Sequence, residues 1–152
     1  MTFKVEMIKK AASVIFPDST RLDGSFFVSK GSPNHPGIES ISELLSNDKD
    51  FLPFELMDGE VVILRKKNIV LIQVQQDEHF REDLHLRQIP VRMRLLSGET
   101  MEGTIFSDLP ENQPRLSDFL NAGHKFFYLK ADGLNFFVSS RYILMMQSGT
   151  PG

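Results

Sequence analysis

The chain repeats itself, and the repeat limits what it can fold into. Ala12–Phe27, ASVIFPDSTRLDGSFF, aligns with Val91–Phe106, VRMRLLSGETMEGTIF. Val14 and Phe16 answer Met93 and Leu95, and Leu22, Gly24 and Phe26 answer Met101, Gly103 and Ile105, every pair 79 residues apart. Further on, Ile41, Leu44 and Leu45 answer Leu116, Phe119 and Leu120 at an offset of 75. Val61–Leu64 and Ile69–Ile72 then answer Asn135–Val138 and Ile143–Met146 at 74. The drift confines the length differences to loops, where insertions are tolerated. Two copies within 152 residues predict two small modules, 1–76 and 90–152, joined by a charged connector at 77–89. Modules of this size bury thin cores, so each needs a partner surface.

Within the unit the period is two. Val91, Met93 and Leu95 alternate with Arg92 and Arg94, the pattern of a half-buried strand, and Ser97-Gly98 turns the chain. Gly103 falls on the inward face of the second strand, beside Met101 and Ile105, where a missing side chain permits a bend or a close backbone approach. Lys30–Gly37 and Ser107–Pro114 read as loops, each followed by a short helix with apolar residues at i, i+3 and i+4. Asp58-Gly59 and Asp132-Gly133 mark hairpins. Gly24, Gly59, Gly98, Gly103 and Gly133 are therefore the structural glycines. Before the first repeat, Phe3, Val5 and Met7 suit a strand, whereas Met7, Ile8 and Ala11 suit a helix. Ile143–Met146 is apolar on consecutive residues, which predicts that both faces of that strand are covered. The fold class is all-β with short helices.

The second half resembles the Sm-like (LSm) fold, a small bent barrel of the SH3-like type. The resemblance lies in Val91, Met93, Leu95, Gly98, Met101, Gly103 and Ile105, with Ser140-Arg141-Tyr142-Ile143 where a second motif, apolar-Arg-Gly, belongs. By the repeat, a fainter echo covers 12–75, which implies two tandem Sm-like barrels. The family's Asp-x-x-Met-Asn becomes Asp108 and Asn112 with Glu111 in place of Met, one residue early, and its Arg-Gly becomes Arg141-Tyr142. The resemblance implies a ring-forming homo-oligomer, with three two-barrel chains as one arrangement. It also implies a non-enzymatic binding or scaffold role, with short single-stranded RNA as the alternative ligand. The broken motif and the net charge of −3 predict that any RNA binding is weak.

Composition sets the remaining bounds. A chain with no cysteine has no disulfide, thiolate metal site or Cys nucleophile. No apolar run approaches the roughly 18 residues of a membrane span, and a cytoplasmic location is expected. No phosphate loop or Ser/His/Asp arrangement appears, so neither an enzyme nor a cofactor is expected. His79 and His85, with Glu78, Glu82 and Asp83, offer metal-ligand types in no recognised spacing, and no metal is expected there. Arg81 and Arg87 lack the companion stretch of a cyclic-dinucleotide module of the PilZ type. The polar candidates for a ligand or RNA are Arg115, Asp118 and Asn121, which share one helix face, and Arg141, Asp108 and Asn112. Arg115 and Asp118 also read as a helix ion pair, and Asn121 as a helix end. Arg141 reads equally as a phosphate contact or as an ion-pair partner.

Overall fold

The structure, a computed structural model, describes residues 7–32, 37–75, 87–107 and 116–148. In the first half β1 (Met7–Ile15) and β2 (Arg21–Ser29) lead to helix α1 (Ile41–Ser46), then β3 (Phe51–Leu56), β4 (Val61–Arg65), a 3-10 turn at Lys66–Asn68 and β5 (Leu71–Val74). The second half repeats this with β6 (Arg87–Leu95), β7 (Thr100–Ser107), α2 (Leu116–Leu120), β8 (Phe126–Ala131), β9 (Leu134–Ser139), a 3-10 turn at Ser140–Tyr142 and β10 (Ile143–Ser148). The described residues are all-β with two short helices. The alternative at Met7–Ala11 resolves to strand, because that segment pairs with Ser25–Ser29 of β2. Residues 77–86 of the connector lie outside the described residues, and its last residues, Arg87–Ile89, belong to β6.

The ten strands of the described residues form one antiparallel sheet in the order β10-β6-β7-β8-β9-β5-β1-β2-β3-β4. Each half contributes its strands in the same sequence: fifth, first, second, third, fourth. The halves meet where β5 pairs with β9, with Leu71 opposite Val138 and Val74 opposite Asn135. Among the described residues β10 and β4 are the two open edges.

Alternation on β6 buries Val91, Met93 and Leu95 and exposes Arg92 and Arg94, as the sequence pattern requires. Gly103 and Gly24 are positions of close approach. A Cβ on Gly103 would stand 2.5 Å from the Lys130 carbonyl oxygen and 2.9 Å from Leu129 Cδ1. On Gly24 it would stand 2.0 Å from the Glu55 oxygen and 2.7 Å from Phe54 Cε1. Those partners are repeat equivalents as well, so both halves solve one crossing with one glycine. The first turn is likewise shared: Gly98 sits at φ +92°, and Ser19, at the matching position, is held at φ +69°.

Two hydrophobic clusters form, and each borrows across the junction. The first gathers Val14, Phe26, Ile41, Leu45, Leu52 and Phe54, and also Phe137 from the second half. The other gathers Met93, Leu95, Ile105, Phe127 and Leu129, and also Val70 and Leu71 from the first. The thin cores are thus joined through β5 and β9. The expectation that both faces of Ile143–Met146 are covered is corrected: Leu144 and Met145 are more than half exposed. Among the described residues β10 is an edge strand with β6 alone beside it, whereas the equivalent β5, between β1 and β9, buries Leu71, Ile72 and Val74. No helix among the described residues is long and apolar enough to cross a membrane.

Candidate site: a cationic cleft between the halves

The β5–β9 pairing brings the two 3-10 turns together. Tyr142 Oη of one turn donates to the Lys67 carbonyl of the other at 3.3 Å. Around them, Ser139 N donates to the Val70 carbonyl at 2.9 Å, and Ser140 N donates to the Lys125 carbonyl at 3.0 Å. A cleft of about 460 Å³ opens here. The first half lines it with Asp48, Lys49 and Asp50 before β3, and with Lys66 and Lys67 of its turn. The second half lines it with Lys125 and Phe126 at the start of β8, and with Ser139, Ser140 and Arg141. Repeat-equivalent elements therefore face each other: Arg141 stands 74 residues after Lys67, and Lys125 stands 75 after Asp50.

Not every charge in the cleft is available. Lys66 is buried, and its ammonium donates to the Leu44 carbonyl at 3.1 Å, the Asn47 carbonyl at 2.9 Å and Asn47 Oδ1 at 2.8 Å. Three donors meet three acceptors at the C-terminal end of α1, where a cation also suits the helix dipole. Burial nevertheless pushes the Lys66 pKa down to about 8, assisted by the neighbouring Lys125 charge. Asp50 is held by Arg65 Nε at 3.3 Å. Lys49, Lys67, Lys125 and Arg141 are exposed, and among the described residues none of them makes an ion pair. Arg141 packs over its neighbour's ring instead, its guanidinium carbon 5.8 Å from the Tyr142 centroid.

Of the ligand candidates named from the sequence that lie among the described residues, Arg141 lines the cleft. Asp118 and Asn121 are exposed on and just after α2 and do not line it, and Asn121 N donates to the Ser117 carbonyl, as a helix end does. Asp108, Asn112 and Arg115 lie outside the described residues, as do His79, His85 and their acidic neighbours. In the first half, Ser40 and Glu43, which answer Arg115 and Asp118, form a capping box on α1. Among the described residues no group of three His, Cys, Asp or Glu side chains is placed to hold a metal ion. The cations at positions 49, 66, 67 and 125 were not named as site residues from the sequence, although Lys67-Asn68 stands in the first half where the Arg-Gly motif belongs. Lys67 occupies the repeat position of Arg141, so the repeat itself points to both turns. No family model, curated protein or solved structure matches the chain.

Proposed function

We propose that the chain is a non-enzymatic binding scaffold made of two Sm-like barrel modules, and that copies assemble head to tail into a ring. One observation carries this reading: the β5–β9 junction is a module-to-module contact already made once within the chain. The same two strands of the repeat, β10 and β4, are its unpaired ends. At the internal junction Leu71 and Phe137 are each 3% exposed. Their repeat equivalents at the free edges, Met145 and Ile63, are 58% and 63% exposed. Apolar open edges are templates for pairing, and a heterologous contact that closes gives a ring. Transferring the internal register places Met145 of one chain opposite Leu64 of the next, and Ser148 opposite Val61. Three chains, carrying six modules, are the expected ring. Light scattering on the purified chain should give a discrete oligomer at micromolar concentration. Ile63→Lys should reduce it to a monomer with unchanged circular dichroism, and a wild type that is itself monomeric refutes the reading.

A second reading, recognition of short single-stranded RNA, draws on the placement of Arg141 in the cationic cleft. Oligouridine binding at physiological salt that is lost in Arg141→Ala would support it.

A further inference from the structure

We propose that the cleft between the two 3-10 turns binds a small polyphosphorylated ligand of the nucleotide class. The inference rests on the binding half of the scaffold reading. It is independent of assembly, because the cleft is complete within one chain.

Charge is the first argument. The chain carries a net −3, yet among the described residues five cationic side chains and two carboxylates line this one cleft, a local surplus of three positive charges. Field lines converge in a concave site and raise the local concentration of anions. Lys66 adds charge without free donors, since its protons are taken by the end of α1. Among the described lining residues, the donors left to a ligand are the ammonium groups of Lys49, Lys67 and Lys125, the guanidinium of Arg141 and the Ser140 hydroxyl of the second turn. They converge from both halves, so one compact polyanion can meet several of them together. Arg141 can hold a phosphoryl group through two parallel N–H bonds, while the lysines act as point charges.

Size and shape decide between a small molecule and a polymer. A cleft of about 460 Å³ lies within the range of small-ligand sites, roughly 300–1,000 Å³. A single-stranded polymer needs a groove that tracks its backbone, with successive aromatic platforms. Here the cations line one cleft in which, among the described residues, Phe126 is the aromatic side chain, and the net charge of the chain as a whole is negative. Phe126 is only partly buried against the core, so it leaves apolar surface beside the cations for a base or other planar group, which bare phosphate lacks.

Calorimetry on the full chain with three probes tests the proposal: inorganic tripolyphosphate, ATP and a uridine hexanucleotide. Tripolyphosphate and ATP should each bind at one site per chain, ATP more tightly, with affinity falling as salt rises. Lys125→Glu and Arg141→Glu should each weaken both at least about 10-fold without lowering the melting temperature, because both side chains are exposed. Asp48→Asn removes an opposing charge and should tighten binding. The Ile63→Lys chain keeps the cleft and should bind as the wild type does, whatever its assembly state. The proposal is overturned if neither phosphate probe binds at millimolar concentration. It is overturned equally if the two charge reversals leave binding unmoved, if the edge variant loses it, or if the hexanucleotide binds where ATP does not.

Discussion

At the scale of the residue, two positions make sharp predictions. Gly103→Val must place a branched side chain where the Lys130 carbonyl and Leu129 already stand, and backbone cannot yield as a flexible side chain can. Overpacking and lost strand pairing together should cost at least about 2 kcal/mol, at the large end for single substitutions. A chemical melt matching wild type would remove the close approach from the account. Lys66 makes the second prediction. Its folded pKa of about 8 lies below the ordinary lysine value of 10.5, so between those pH values the unfolded chain binds more protons than the folded one. Stability therefore rises with pH through that window, and the burial cost of the ammonium is present in full below it. The urea midpoint should climb between pH 8 and 9.5, by up to about 1 kcal/mol in stability. Lys66→Met removes the titrating group, and in that variant the rise should vanish.

At the scale of the element, the matching turns of the repeat can be played against each other. Ser19 is forced to φ +69° where the other half has Gly98, and a left-handed non-glycine residue costs roughly 1–2 kcal/mol. Part of that is returned by the greater freedom of glycine in the unfolded chain. Ser19→Gly should thus stabilise by about 0.5 kcal/mol, read as a higher denaturation midpoint. A drop would mean that the two turns are not equivalent. The elements were legible because their causes are local. Alternation marked β6, i, i+3, i+4 spacing marked α1 and α2, and Asp-Gly marked the hairpins. β10 misled for a reason of the same kind. Its residues are as apolar as those of β5, but burial depends on having neighbours on both sides, and composition along a strand does not report its place in a sheet. The cleft was illegible for a related reason. Positions 49, 66, 67, 125 and 141 are scattered in sequence and meet only through the β5–β9 pairing. Arg141 was visible because it lies in a motif-like stretch, and its partners were not.

At the scale of the whole molecule, the sheet is polar: β10 ends it on one side and β4 on the other, and these are different strands. A contact that copies β5–β9 joins β10 of one chain to β4 of the next, never β10 to β10. The polarity is testable with two variants that each spoil one edge. Ile63→Lys charges β4, and Met145→Lys charges β10, both at positions already exposed in the single chain, so neither should unfold it. Each would nevertheless bury an unpaired ammonium at a junction equivalent to that of Phe137 and Leu71, which is costly. Either variant alone should be monomeric by light scattering. Mixed in equal amounts, they should form a one-to-one dimer and stop, because the first still offers β10, the second still offers β4, and the remaining ends are both blocked. Should either variant dimerise by itself, the contact is isologous, one edge meeting its own copy, and the head-to-tail ring is wrong. A mixture that stays monomeric would equally rule out the β10–β4 pairing.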